Sequence, residues 1–148
     1  MNRIEVTLNL SVVAPLLDFI QPILRTLEAE TAFGPGMEEA DRELEHVWRE
    51  GLIHTQVDDC AKLMALFDAE FFESGRVVLE PEHADAILRA AAAIRLKLRE
   101  TALKDMSDAT LEAGDVELSD LSEEERTGFA AYLFLATLQE IIIQHMGL

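Results

Sequence analysis

The first residues of the chain alternate. Ile4, Val6, Leu8 and Leu10 fall on one side and Glu5, Thr7 and Asn9 on the other, a period of two that predicts a half-buried strand over residues 3–10. From Ser11 the period lengthens to that of a helix, with Leu16, Leu17, Ile20, Leu24 and Leu27 on one stripe, Ser11 placed as its cap and an end near Glu30. Pro15 is tolerated in a first turn. Pro22 removes an internal hydrogen bond and predicts a kink or two short helices. Phe33-Gly-Pro-Gly36 ends the element.

A second helical stripe runs through Met37, Ala40, Leu44, Val47, Trp48 and Leu52, with Gly51 and His54-Thr55-Gln56 as weak points. Val57, Cys60, Ala61, Met64, Phe67 and Phe71 continue it to about Glu73, and Ser74-Gly75 closes it. Arg76 to Leu79 reads as a short strand. Pro81 suits the first position of a helix that runs to about Asp105 and buries Ile87, Ala91, Ile94, Leu98 and Ala102. Residues 105–121 form a polar, acidic connection with a candidate short strand at Asp115 to Leu118. Ser122 before Glu123, Glu124 and Glu125 is a strong helix start: a hydroxyl cap, acids at the positive end of the helix dipole, and Glu125 at the capping-box spacing. The last helix, to about Met146, is apolar over most of its circumference, which predicts a place in the middle of a bundle or at a subunit contact. The whole reads as a single helical domain over residues 1–148, mainly α: a four- to five-helix bundle with an N-terminal strand and one or two very short strands besides.

Composition narrows the function classes. Apolar residues make up 49% of the 148, enough for a sizeable core, and acids outnumber bases 29 to 12 for a net charge of −17. Such a surface repels nucleic acid and anionic lipid, so neither is an expected partner. The single cysteine, Cys60, excludes an internal disulfide framework and fits a reducing compartment. No signal-peptide pattern opens the chain. The longest near-apolar run, Gly128 to Leu138, has 11 residues, against about 20 for a bilayer span. A soluble, cytoplasmic protein is expected.

Candidate chemistry is sparse. Two Glu-x-x-His pairs, Glu43/His46 and Glu80/His83, have the spacing used by di-iron bundles. Four histidines among so many glutamates give about half such a pair by chance, and Pro81 places Glu80 outside its helix. Cys60 sits on an apolar stripe beside Asp58 and Asp59, a setting opposed to a reactive thiolate. No triad, nucleophile elbow or phosphate-binding glycine loop is present. Catalytic, metal and cofactor residues are therefore expected to be absent, and the leading reading is a non-enzymatic protein-interaction or regulatory module with an unidentified protein partner. The alternatives are a carboxylate/histidine metal enzyme in a bundle core and an acidic mimic of nucleic acid. Adjacent apolar runs at Phe71-Phe72 and Ile141-Ile142-Ile143 predict a homodimer.

Charge placement adds a sharper expectation. Arg89, Arg95, Lys97, Arg99 and Lys104 cluster on the helix from Pro81, either to pair with acidic neighbours inside the fold or to dock an acidic partner. On the last helix, Phe129, Leu133, Ala136, Glu140 and Ile143 fall on one stripe, which puts Glu140 where an apolar residue belongs. A buried carboxylate needs a partner, and the guanidinium of Arg95 suits one. An internal Arg95–Glu140 ion pair is expected, with Gln139 or Tyr132 satisfying leftover groups; the alternative is that Glu140 lines a shallow groove and reaches water.

Two stretches carry a resemblance. Leu79 to Leu98 reads Leu-Glu-Pro-Glu-His-Ala-Asp-Ala-Ile-Leu-Arg-Ala-Ala-Ala-Ala-Ile-Arg-Leu-Lys-Leu, and Tyr132 to Glu140 reads Tyr-Leu-Phe-Leu-Ala-Thr-Leu-Gln-Glu. With the opening strand and helix, these resemble an uncharacterised bacterial domain-of-unknown-function family, mainly actinobacterial, whose members are often encoded beside the Clp protease adaptor. Its motifs resemble Trp-Leu-x-x-Leu-Asn-Asp-x-Arg-Leu-x-Leu and Tyr-x-x-Leu-x-x-Leu-Gln. Arg95, Leu96, Leu98, Tyr132, Leu138 and Gln139 match. The tryptophan is absent and Ala92-Ala93 replaces the Asn-Asp pair, so any role of that pair does not transfer. The resemblance implies a fold and no established activity.

Overall fold

The alternation at the N-terminus forms β1 (Ile4–Thr7), which pairs antiparallel with β2 (Arg76–Leu79) in the register Ile4↔Leu79 and Thr7↔Arg76. Leu8 N–H then donates to the Gly75 carbonyl at 2.7 Å, so the chain start is fastened to the turn before β2. The computed structural model describes residues 3–29, 39–114 and 116–146. Phe33 to Gly36, the Leu44, Trp48 and Leu52 side chains, and those of the Glu43/His46 pair lie outside the described residues.

Among the described residues four long helices carry the fold: α1 (Leu10–Ala29), α2 (Glu39–Met64), α4 (Ala84–Glu100) and α6 (Glu123–Met146), with six-residue α3 (Ala69–Ser74) and α5 (Asp108–Ala113) between them. The fold is mainly α with two short strands, as the periodicity predicts. Several boundaries differ from expectation, each for a local reason. Helix α1 starts at Leu10 with Asn9 accepting from Val12 and Val13 N–H, while Ser11 lies inside the first turn and donates to Asn9 Oδ1. It runs unbroken through Pro22. The hydrogen bond that Pro22 cannot donate falls toward Asp18 on the exposed side, where water can serve the carbonyl.

The expected long helix ending near Glu73 is divided. Asp68 caps α3 by accepting from Phe71 N–H at 3.1 Å, and Gly75 closes it in the left-handed conformation with φ 78°. Phe67 and Phe71, both buried, pack edge to face at 5.1 Å across this break. On α2 itself Val47 is exposed, whereas Cys60 and Leu63 are buried. Pro81 opens a 3-10 turn, Pro81–His83, rather than α4 directly, and α4 stops at Glu100 so that Leu103 turns into the core. The acidic connection holds α5, capped by Ser107 on Thr110 N–H at 3.1 Å and anchored by buried Leu111. No strand forms at residues 116–118; a 3-10 turn, Leu118–Asp120, occupies that position.

Helix α4, not α6, is central, packing on α1, α2 and α6. Its inner faces carry Ala84, Ala86, Ile87, Ala90, Ala91, Ile94 and Leu98, and alanines let neighbouring helices approach on several sides. Helix α6 buries Phe129, Ala131, Tyr132, Leu135, Leu138 and Ile142 and leaves Leu133 and Ile143 exposed. Its start is the reciprocal capping box expected: Glu125 N–H donates to Ser122 Oγ at 3.1 Å and Ser122 N–H to Glu125 Oε1 at 3.0 Å. By length and composition alone, α1 and α6 could each cross a membrane, which a count of consecutive apolar residues did not register; in the fold the two pack against each other.

Candidate functional site: an arginine–tyrosine cluster between α4 and α6

Arg95 and Arg99 lie one turn apart on α4 and reach across to Tyr132 on α6. The Tyr132 hydroxyl oxygen accepts from Arg95 Nη2 at 3.0 Å and from Arg99 Nε and Nη2 at 3.1 and 2.7 Å. Above the ring, the Arg95 guanidinium stacks 4.4 Å from its centroid. Its Nη1 donates to Gln139 Oε1 at 2.6 Å, and the Gln139 amide is oriented by donating Nε2–H to the Leu88 carbonyl at 3.1 Å. The bond to Tyr132 raises the Arg99 guanidinium above its ordinary value, with burial acting in the opposite direction.

Glu140 takes no part. It is exposed and accepts from Gln144 Nε2 at 2.7 Å, one turn along α6. The expected Arg95–Glu140 ion pair is therefore replaced by Arg95–Gln139 and Arg95–Tyr132. The reason lies in the wheel: α6 is apolar nearly all round, so periodicity alone did not identify its inner face. That face runs through Tyr132, Leu135, Leu138 and Ile142, whereas the stripe through Leu133, Glu140 and Ile143 looks outward. Arg95, Tyr132 and Gln139, singled out in the sequence, do meet. Arg99 was not singled out with them, although its position one turn after Arg95 places it on the same face.

Around these groups lies a cavity of about 250 Å³ lined by Ala92, Arg95, Leu96, Arg99 and Tyr132. Leu96 is 58% exposed at its rim. Arg95 Nε is buried without a hydrogen-bond partner. A larger groove, about 460 Å³, runs between α1 and the end of α4 past Phe19, Pro22, Ile23 and Ala102. It is roomier than the arginine–tyrosine cavity; Lys97, Thr26 and Thr101 also line it, with the two threonine hydroxyls donating to the Pro22 and Lys97 carbonyls.

The other basic residues of α4 divide their roles. Arg89 makes a bidentate pair with Asp59 of α2, both bonds 2.9 Å, and this satisfies a carboxylate whose side chain is only 8% exposed. The bond to Asp59 raises Arg89 above its ordinary value. This is the expected pairing with acidic neighbours inside the fold, and Arg95 departs from it. Elsewhere, Glu80 precedes the 3-10 turn with its carboxylate 3.9 Å from Arg3, and among the described residues no three His, Cys, Asp or Glu side chains gather as a metal site would require. Cys60 is buried.

Comparison with known proteins gives a family without an assigned role. The model of a domain of unknown function, DUF2017, matches residues 31–146. The first strand and helix precede the matched segment. No curated protein and no solved structure matches.

Proposed function

The chain belongs to the DUF2017 family, and from the geometry of this member we propose that it is a non-enzymatic protein-interaction module whose docking site is the Arg95–Arg99–Tyr132 cavity with Leu96 at its edge. One observation carries the reading: a 58% exposed leucine borders a cavity whose charged groups are two guanidiniums sharing one hydroxyl. Apolar anchors beside arginine are what binding surfaces use. Guanidinium does not deprotonate in proteins, so this set suits holding an anionic group better than moving a proton. The partner is an unidentified protein that presents an acidic group next to an aliphatic side chain.

Further parts of the reading rest on less. Self-association is supported by Leu133 and Ile143, 39% and 44% exposed on the outer side of α6, and light scattering at micromolar concentration checks it. A cytoplasmic location, an actinobacterial source and a gene beside the Clp protease adaptor belong to the same proposal; the genome around the gene checks the last two.

The test compares capture from a lysate of the source cells by immobilised wild type and by Leu96→Glu. A protein retained by the wild type and lost from Leu96→Glu, with unchanged circular dichroism, is the expected result. Retention that is indifferent to Leu96→Glu, or nothing retained beyond the bare support, overturns the reading.

A further inference from the structure

The donors left over in the cluster indicate the chemistry of what it holds. With three N–H groups on its oxygen, the Tyr132 hydroxyl has no lone pair to offer. It can act further only as a donor, and no acceptor among the described residues takes its proton. Arg95 Nε–H is buried and unpaired. Arg99 Nη1 reaches Asp108 at 3.5 Å, but that carboxylate is 78% exposed and sits at the edge of the cluster. The polar side chains that line the cavity thus present donors, Arg95 Nε–H lying beneath its surface, and two positive charges stand one turn apart on α4. An acceptor carrying negative charge is the group that two guanidiniums at one wall suit.

We propose that this cavity is a carboxylate site, one that takes a single carboxylate borne on an aliphatic residue. The inference rests on the docking role proposed above and names the group recognised. Two features select the ligand. Ala92 and Leu96 complete the wall, so whatever carries the carboxylate meets methyl and methylene surface. The rest of the molecule selects on charge: at −17 overall, each additional negative charge on a ligand meets the same repelling field while the donors at the site stay fixed in number. A phosphate or a run of acids is disfavoured on that ground. A lone carboxylate is held by short-range hydrogen bonds while salt screens the remoter charges beyond about 8 Å.

Tyr132 is the only tyrosine in the sequence, so protein isotopically labelled at tyrosine carries one reporter inside the cavity. N-acetyl-leucine supplies a carboxylate beside an aliphatic side chain, N-acetyl-leucinamide is the same molecule without the charge, and inorganic phosphate is the more highly charged competitor. All three are titrated at constant ionic strength near neutral pH. The Tyr132 resonances are expected to move saturably with N-acetyl-leucine and to stay in place with the amide, a comparison that needs no variant. Arg99→Gln is expected to weaken binding about tenfold or more. Lys97→Gln, which removes a charge from the same helix outside the cavity, leaves binding within about twofold. Equal loss in the two variants assigns the attraction to general charge and overturns the proposal; so does tighter binding of phosphate, or no saturable shift with N-acetyl-leucine. A failed titration with Leu96-dependent capture intact removes the carboxylate site and leaves the docking reading standing. Saturable binding without Leu96-dependent capture removes the docking role and, with it, the biological use of the site.

Discussion

Tyr132→Phe isolates one oxygen. The ring, buried at 2% exposure, stays in place beneath the Arg95 guanidinium, and only the acceptor of three guanidinium N–H groups is lost. A hydrogen bond to a charged group contributes about 1.5–3 kcal/mol. One hydroxyl oxygen has two lone pairs, so the three contacts count as about two bonds, an upper figure of ~3–6 kcal/mol. Water returns part of this, because the Arg99 side chain is 30% exposed and its freed groups can be solvated. Arg95 gains less from solvent, with its Nε already buried and unpaired. A net loss of about 2 kcal/mol follows, or ~6 °C in Tm for a domain of this size. Urea unfolding followed by far-UV circular dichroism measures it. The same substitution in an Arg99→Gln background is expected to cost less, since one donor pair is already gone, and the difference gives the coupling directly. Equal stability of Tyr132→Phe and wild type, within about 0.5 kcal/mol, would refute the claim that this oxygen ties α4 to α6.

Four further substitutions test the packing. Arg89→Ala leaves the mostly buried Asp59 carboxylate without its bidentate partner; because the Arg89 side chain is 57% exposed, the cost expected for a fully buried pair is reduced to about 1–3 kcal/mol, read by urea denaturation. Two helical glycines should respond with opposite signs. A methyl at Gly128 would sit 2.9 Å from Ala102 Cβ and 3.5 Å from Leu103 Cδ2, whereas one at Gly51 meets, among the described residues, no atom beyond its own stretch of helix within 4 Å. Gly128→Ala is expected to destabilise by ~1–2 kcal/mol and Gly51→Ala to stabilise by up to ~1 kcal/mol, with thermal melts of the pair deciding. Gly75→Ala combines a left-handed φ of 78° with a collision against the Leu8 carbonyl; a fall in Tm larger than that of Gly128→Ala is expected, with lost amide protection at Leu8, whose N–H bonds to Gly75.

Local signals carried most of the secondary structure. The alternation through β1, the Ser122–Glu125 box at the start of α6 and the glycine that ends α3 depend on neighbours within a few residues, and the chain states them openly. The boundaries that differ also had local signals, in Asp68 before α3 and in Ser107 and Gly114 around α5. Apolar periodicity running through the first and acidity around the second obscured them. Sequence alone therefore determined a mainly helical chain with a short strand at each of two places, beside a third candidate that did not form at residues 116–118, and it singled out Arg95, Tyr132 and Gln139 together with Glu140. Which side of α6 faces inward was decided only in three dimensions. A helix apolar on nearly every side has no preferred face until neighbours claim one, and here α4, made narrow by its alanines, took the centre and drew the Tyr132–Leu135–Ile142 face against the core. That rotation turned Glu140 to solvent, gave Arg95 an amide and a phenol instead of a carboxylate, and brought Arg99 onto the same oxygen. The cluster exists because two helices met at one angle and register, a relation between residues 37 positions apart that no local pattern encodes.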